Sequence, residues 1–253
     1  MVSKVSIITV CHNSAETIGD TIESVLSQDY PCIEYIIIDG GSTDRTMDII
    51  REYGDKIDIV ISEPDKGIYD AMNKGIHAAS GDVVGLLNSD DFYADETSVS
   101  QLIECMENAD TDTVFADLVV VDAKNTDHVV RYYDSSNFHP RRLRYGWMPA
   151  HPTFMVRRDL YIRYGGFLLD YQIAADYEMV VRLFHTAGAS YIYLPVVVIK
   201  MRAGGASTSG LKSSWVLNKE IIRACRTNGI ETSFFRLLPK IPVKLMEYIR
   251  RPK

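Results

Sequence analysis

The fold is decided by the stretch VSIITVCHNSAETIGDTIESVLSQDYPCIEYIIID, which spans residues 5–39. Its two ends, Val5–Val10 and Tyr35–Ile38, are continuous apolar runs rich in β-branched residues, which predicts strands buried on both faces. Between them, after an Asn13-Ser14 cap, apolar residues recur at helical spacing, namely Ile18, Ile22, Val25 and Leu26. The stretch therefore predicts a strand, a helix and a second strand parallel to the first.

The same alternation continues through the first 110 residues and then changes. Ile57–Ile61 and Val83–Leu87 predict two further strands, separated by a helix that begins after Gly67. Apolar strands alternating with helices predict a doubly wound α/β fold, a mostly parallel sheet with helices on both faces. Residues 114–121 and 129–133 predict longer strands, for which we expect antiparallel pairing. The later predicted elements are helices at 159–164 and 176–187, strands within 191–201, a glycine-rich link at 203–210 and C-terminal helices.

Charge and cysteine content exclude several classes of protein. The 253 residues carry a net charge of −7, but seven basic and two acidic residues after position 225 give that tail +5 and leave −12 for the rest. An acidic body argues against a nucleic-acid binder. Four cysteines without a CxxC pair are typical of reduced thiols in a cytosolic protein. The first apolar run is too short for a signal peptide and no run is long enough to span a bilayer, so we expect a cytoplasmic protein.

Polar residues follow all four predicted parallel strands. They are Thr9 with Cys11–Asn13, Asp39, Glu63–Gly67, and Asn88–Asp91. Ligands of open parallel sheets bind beyond the carboxyl ends of the strands, so four such ends at one edge predict a binding site. Carboxylates in that position suit a hard divalent cation. Taken alone, however, Asp90 or Asp91 is better explained as the cap of a helix that begins near Asp95.

Four segments of the first 210 residues resemble successive motifs of family 2 glycosyltransferases: Thr9–Asn13, Ile38–Asp44, Ala79–Asp82 and Leu87–Asp91. The segment SEPDKGIYDAMNKG (62–75) is further similar to members that build bacterial surface polysaccharides of the O-antigen and capsule type. The resemblance implies a GT-A fold with a nucleotide-sugar-binding half (1–110) and an acceptor half (111–210). Residues 211–253 would then form a separate helical, basic tail.

The resemblance also implies a donor site. Contacts to the nucleotide sugar would come from Thr9, Asn13, Asp39, Asp65, Asn88, Ser89 and Arg202. Asp39 would bind the base, and Asp90 with Asp91 would hold Mg²⁺ or Mn²⁺ against the diphosphate. Asn88 stands where the DxD motif has its first Asp, and Met72 stands where many relatives have an Arg. From the position of Arg202 just before the glycine-rich link, we expect it to reach the diphosphate when that link closes; the alternative is a flexible hinge with a solvated Arg.

In the second half, the segment AADYE (174–178) resembles the acceptor motif of the family. The resemblance implies that Asp176 is the general base, because a carboxylate can take the proton of an acceptor hydroxyl as it attacks the anomeric carbon. Glu178 and His151 are the further candidates for contact with the acceptor or the leaving group. The alternative is that Asp176 caps a helix, Glu178 interacts with its dipole and His151 is structural.

We therefore expect an inverting, metal-dependent glycosyltransferase that uses a UDP-linked hexose or N-acetylhexosamine. The expected acceptor is a saccharide carried on a polyprenyl diphosphate, and no nucleic acid is involved. One alternative is a sugar-nucleotide pyrophosphorylase, but that enzyme needs a Gly- and Arg-containing loop that Cys11–Ser14 does not supply. The other is a non-catalytic carbohydrate-binding protein, which would bind no nucleotide.

The tail is a candidate membrane contact. Pro242 suits the first turn of a last helix that carries Leu245, Met246 and Ile249 on one face. Such a helix would lie peripherally on the anionic inner leaflet, where each basic residue contributes about 1 kcal/mol. The alternative is that its apolar face packs on the domain or on the second subunit of a homodimer.

Overall fold

The computed structural model describes residues 2–204, 210–240 and 247 of the chain. The strands are β1 Val5–Cys11, β2 Ile33–Asp39, β3 Ile59–Ser62, β4 Val83–Asn88, β5 Asp91–Tyr93, β6 Thr113–Val121, β7 Val129–Tyr133, β8 Met155–Arg157 and β9 Tyr191–Arg202. The helices are α1 Ile18–Leu26, α2 Thr46–Glu52, α3 Ile68–Ala78, α4 Ser98–Asn108, α5 Arg158–Tyr164, α6 Ala175–Val181, α7 Gly210–Thr227 and α8 Phe234–Leu237.

These strands form one sheet in the order β3-β2-β1-β4-β8-β6-β9-β5, with β7 paired to β6. The first four strands are parallel, with β1 between β2 and β4. In the second half, β8 is antiparallel to β4 and β6, and β7 is antiparallel to β6, as expected for 114–121 and 129–133, whereas β6 also pairs in parallel with β9. The α/β sheet with helices on both faces is confirmed, whereas the short strand β5 was not predicted.

Side chains of the central strands are buried on both sides of the sheet. Ile8, Val10, Ile36 and Ile38 pack in one cluster with α3 and α6. Ile7, Ile37 and their neighbours pack in a second cluster with α1 and α4. Because both faces are covered, these strands read as continuous apolar runs without alternation.

Helix α7 packs in the core of the second half of the chain. Its residues Ile221, Ile222, Ala224 and Cys225 are buried in the same cluster as the side chains of α6. The boundary predicted at residue 210 therefore falls at the start of a helix that supplies core side chains, and such a helix cannot separate from the core at low cost.

Two predicted features fall largely outside the described residues. They are the glycine-rich link at 203–210, of which 203, 204 and 210 are described, and the last helix after Pro242. Among the residues that are described, no helix is both long enough and apolar enough to cross a bilayer.

Candidate active site

The carboxyl ends of the four parallel strands meet at one edge of the sheet, as predicted. The register places Cys11 beside Asp39, Asp39 beside Ser62, and Val10 beside Asn88. The loops that follow these strands are therefore neighbours, although they are far apart in the sequence.

Asp39 is fully buried and holds the loop that follows β2. Its carboxylate accepts hydrogen bonds from the N–H groups of Gly41 and Ser42 and from the hydroxyls of Ser42 and Ser62. Burial opposes ionisation, but these hydrogen bonds outweigh it and hold the pKa of Asp39 below its usual value. Asp39 is thus an ionised carboxylate bound to its own loop, and its contact with a nucleotide base stays a prediction.

Asn13 joins the loop after β1 to the loop after β2. Its backbone is left-handed, with φ at 51°, a conformation that Asn adopts more readily than most residues. Its Oδ1 accepts hydrogen bonds from the N–H groups of Thr43, at 2.8 Å, and Asp44. Its own N–H donates to Ser42 Oγ at 2.7 Å. Asn13 and Asp39 therefore fix the same short loop from two sides.

Asp65 brings the loop after β3 to the same place. Its Oδ1 accepts a hydrogen bond from the N–H of Gly67 at 2.8 Å, and its carboxylate lies directly against Gly40. A Cβ atom at position 40 would overlap Asp65 Oδ2, so only glycine allows this approach. The structure thus gathers three of the predicted donor residues, Asn13, Asp39 and Asp65.

In the turn Asn88–Asp91, the described residues leave some buried oxygens without a hydrogen-bond partner and surround the carboxylates with an environment that disfavours their charged form. Within the described residues, Asn88 Oδ1 and Asp91 Oδ1 are buried and lack a hydrogen-bond partner, whereas Asn88 Nδ2 donates to Asp91 Oδ2 at 3.3 Å. Burial, together with the neighbouring charge of Asp90, raises the pKa of Asp91 well above its usual value. Burial also raises the pKa of Asp90, whose side chain is less enclosed. A nearby cation would favour the ionised form of both carboxylates.

The residues of this turn are suited to supply some of the ligands of a divalent cation, but not all of them. No group of three or more His, Cys, Asp or Glu side chains in the described part of the chain forms a metal site by itself. Oxygens of Asp90, Asp91 and Asn88 are the ligand type that Mg²⁺ and Mn²⁺ prefer. Mg²⁺ usually keeps several waters or takes phosphate oxygens as further ligands, so a short protein set is suitable.

Two predicted donor contacts are parts of the supporting structure. Thr9 is fully buried on the α1 face of β1, with its hydroxyl 3.1 Å from Tyr35 OH, so it is not placed to contact a nucleotide. Ser89 is 8% exposed and its hydroxyl lies 2.7 Å from Ser14 Oγ. Both hydroxyls are used to connect neighbouring elements.

Arg202 also differs from the prediction. Its guanidinium donates to the carbonyl of Asp90 at 3.0 Å, pairs with Asp20 and lies 4.8 Å from the ring centre of Phe92. These contacts leave it 8% exposed, so it supports the Asn88–Asp91 turn and does not point freely towards a ligand. The loop closure on which the prediction relied involves residues 205–209, which lie outside the described part.

Asp176 and His151, predicted separately, lie side by side. Asp176 is in the first turn of α6, and its Oδ2 is 3.3 Å from His151 Nδ1. The N–H of Tyr177 donates to the other carboxylate oxygen at 2.7 Å. His151 lines a cavity of about 20 Å³ together with Asn88, Met72, Phe167 and Met179. The Asp176–His151 pair thus adjoins a cavity that Asn88, at the end of β4, also lines.

Glu178 is not available to an acceptor. It is 2% exposed and its carboxylate pairs with Arg182 at 2.8 Å and accepts a hydrogen bond from Asn228. Arg182 in turn donates to the carbonyls of Gly165 and Gly166. This i,i+4 ion pair holds the segment that precedes α6, so in the structure Glu178 is engaged there and not at an acceptor site.

A buried network that was not predicted holds His151 in place. Asp117, in the middle of β6, accepts hydrogen bonds from the hydroxyls of Tyr132 and Tyr193 and from the N–H of Ser135. Ser135 Oγ then accepts from the N–H of Ala150, the residue before His151. The one signal in the sequence is a carboxylate inside the apolar run of β6, since a buried Asp requires partners.

A parallel sheet with carboxylates beyond its strand ends places a ligand site at that edge, and this sheet with its flanking helices has the GT-A fold. The sequence profile described as "Glycosyl transferase family 2" matches residues 6–165. The chain belongs to this family and is a glycosyltransferase.

Comparison with known proteins gives relatives and a fold. The chain is 27% identical over 223 residues to a "PGL/p-HBAD biosynthesis glycosyltransferase" of Mycobacterium bovis, covering 86% of this chain and 82% of the relative. It is 39% identical over 108 residues to the "putative teichuronic acid biosynthesis glycosyltransferase TuaG" of Bacillus subtilis, covering 42% and 43%.

Two solved structures share the GT-A fold. S. aureus TarS 1-349 in complex with UDP-GlcNAc is similar with a TM-score of 0.69 at 18% identity, covering 90% of this chain and 68% of that one. The mannosyltransferase PcManGT of Pyrobaculum calidifontis, in complex with GDP-Man and Mn²⁺, gives 0.62 at 17%, covering 100% and 82%.

The hydrogen bonds of Asp39 predict a pH-dependent contribution to stability. Because its folded-state pKa is below the unfolded value near 3.9, the contribution is present above that pH and is lost as the pH falls through the folded pKa. Asp39→Asn should lower the free energy of unfolding by about 1.5–3 kcal/mol at pH 7, and by less at pH 3. Urea unfolding at both pH values measures this.

The matched control is Asp48→Asn, because Asp48 is exposed and pairs with Arg51 at the surface. It should change the free energy of unfolding by less than about 1 kcal/mol at either pH. A deficit of Asp39→Asn that is equally large at pH 3 and pH 7 would contradict the account of Asp39.

Proposed function

We propose that the chain transfers a sugar from a UDP-linked hexose or N-acetylhexosamine to a saccharide acceptor, with inversion, in the synthesis of a surface polysaccharide. The observation that carries the proposal is the Asp176 carboxylate beside His151, next to a cavity that Asn88 of the donor turn also lines. The UDP-GlcNAc bound by a protein of the same fold supports the donor class. The teichuronic acid relative supports the product class.

In the proposed reaction, Asp176 is the general base. It accepts the proton of the acceptor hydroxyl while that oxygen attacks the anomeric carbon from the face opposite the diphosphate, so an α-linked donor gives a β-linked product. His151 lies beside the carboxylate, with Nδ1 3.3 Å from Oδ2, and the N–H of Tyr177 donates to Oδ1 at 2.7 Å. These two contacts limit the rotation of the carboxylate, so that it stays oriented to take the proton.

The proposed donor site takes Mg²⁺ or Mn²⁺ at the Asn88–Asp91 turn. Asp90, Asp91 and the Oδ1 of Asn88, which lacks a hydrogen-bond partner among the described residues, would hold the cation. When bound, it would neutralise charge on the diphosphate of the leaving nucleotide. Asn13, Asp39 and Asp65 hold the loops against which the nucleoside would lie, and the Mn²⁺ of a structural neighbour supports this assignment.

The acceptor is proposed to be a saccharide on a polyprenyl diphosphate, reached at an anionic membrane surface. The support is a patch on α8 and the residues after it, where Phe234, Phe235 and Leu238 are 46%, 85% and 55% exposed. Arg236 and Lys240 flank these apolar side chains. Apolar groups bordered by cations are the combination that binds the interface of an anionic bilayer.

Replacing the proposed base tests the reaction. Asp176→Asn keeps the size of the side chain but cannot accept a proton, so we expect transfer to fall by about 10²- to 10⁴-fold. The measurement is Mn²⁺-dependent release of the nucleoside diphosphate from a panel of nucleotide sugars, with a membrane lipid extract as acceptor. The matched control is Asp159→Asn, an exposed aspartate of α5. Equal release of nucleoside diphosphate by the two variants would contradict the proposed mechanism.

Membrane contact is tested by flotation with vesicles. Phe235→Glu places a charge on a side chain that makes little contact with the fold, so it should lower binding to vesicles of 30% phosphatidylglycerol in phosphatidylcholine by about 10-fold. Ile162→Glu, at an exposed apolar residue of α5, is the control and should bind as the wild type does. Equal binding by both variants, or equal binding to vesicles without phosphatidylglycerol, would contradict this surface.

A further inference from the structure

The loop that leads into α6 presents three consecutive backbone N–H groups to one side chain of α7. The carboxylate of Glu220 accepts hydrogen bonds from the N–H groups of Gln172, at 2.7 Å, and of Ile173 and Ala174, both at 2.9 Å. Glu220 is 9% exposed, so these bonds are shielded from water. Hydrogen bonds to an ionised acceptor in such a setting are stronger than those between neutral groups.

These three N–H groups belong to the residues that immediately precede α6, and the backbone of these residues sets the direction of the helix. Ala174 is the N-cap residue and has no side chain that can accept a hydrogen bond, while its carbonyl accepts the first helical bond from the N–H of Glu178. Glu220, which lies on another helix, therefore holds the backbone at the N-terminus of α6, a role that the side chain of a Ser or Asp N-cap residue would otherwise have. Asp176 is two residues further on, so its position depends on these peptide groups.

Other contacts hold the same loop on both sides. Tyr69 of α3 donates from its hydroxyl to the carbonyl of Ile173 at 2.6 Å, and its ring stacks on that of Phe167. Arg223 of α7 pairs with Asp170. The loop is thus held between α3 of the donor half and α7, with Glu220 as the side chain that bonds closest to α6.

We propose that Glu220 is a positioning residue for sugar transfer: it fixes the loop before α6, so that the Asp176 carboxylate stays beside His151. The inference rests on the proposed role of Asp176 as the base. It assigns to α7, expected from the sequence to be part of a tail, a direct part in the geometry of the active site.

Glu220→Gln tests the proposal with little change in size. A glutamine has one acceptor oxygen, and its NH₂ group would face backbone N–H groups that are themselves donors, so it cannot accept all three bonds. We expect kcat to fall by about 10- to 100-fold, because small displacements of a catalytic group have effects of this order. We expect KM for the nucleotide sugar to stay within about twofold, because the donor loops are not involved.

The assay uses the nucleotide sugar that the panel identifies, and a second readout needs no substrate. Amide hydrogen exchange of residues 172–177 should be at least about 10-fold faster in Glu220→Gln than in the wild type, since exchange reports local opening. Glu231→Gln, the same substitution at an exposed residue beyond α7, is the matched control and should match the wild type in both readouts.

Two outcomes would overturn the inference. One is that Glu220→Gln equals Glu231→Gln in kcat and in exchange. The other is that donor KM rises as much as kcat falls, which would indicate general loss of structure. If Asp176→Asn is itself active, the proposed base is wrong. If Asp176→Asn is inactive while Glu220→Gln is normal, the positioning role alone fails.

The double variant separates positioning from general destabilisation. If Glu220 acts through Asp176, adding Glu220→Gln to Asp176→Asn should lower the residual rate by less than about twofold, because residues that act as a unit are not additive. A further fall as large as that of Glu220→Gln alone would contradict the proposal.

Discussion

The parallel pairing of β1 with β2 and with β4 is the constraint on which the site depends. It places the ends of these strands in one row, with Cys11 beside Asp39 and Val10 beside Asn88. Residues that are tens of positions apart in the chain therefore share one edge of the sheet. The antiparallel strand β8 then continues the sheet from β4 and follows directly on the turn that carries His151, which brings the acceptor half to the same edge.

The acidic character of the body divides into two kinds of carboxylate. Asp39 is satisfied by hydrogen bonds from Gly41, Ser42 and Ser62, and Glu220 by three N–H groups of the loop before α6. Both are scaffolding, because their charge is used to fix backbone. Asp90 and Asp91 are different, since burial raises their pKa values and Asp91 Oδ1 has no partner in the described structure. That contrast locates the part of the site where a cation is proposed to act.

The sequence predicted the arrangement of the strand ends better than the direction in which individual side chains point. Strand ends and the first turn of α6 follow from apolar runs and helix signals, and the structure confirms both. The side on which Thr9 points could not be predicted, because a strand buried on both faces shows no alternation. The role of Glu220 could not be predicted from the sequence, since its hydrogen-bond partners are 46 to 48 residues away and are backbone groups. The ion pair between Glu178 and Arg182 could have been predicted, because Arg182 follows Glu178 at i+4.

The central claim is that these strand ends form a site for a nucleoside diphosphate sugar whose diphosphate is held through a divalent cation. Isothermal titration calorimetry of UDP into the protein, with Mn²⁺ and then with EDTA, tests it most directly. We expect saturable binding in Mn²⁺ that is weaker by at least about 10-fold in EDTA, because carboxylates alone repel a diphosphate. Absence of binding by UDP and GDP in the presence of Mn²⁺ would contradict it, as would binding of equal strength in EDTA.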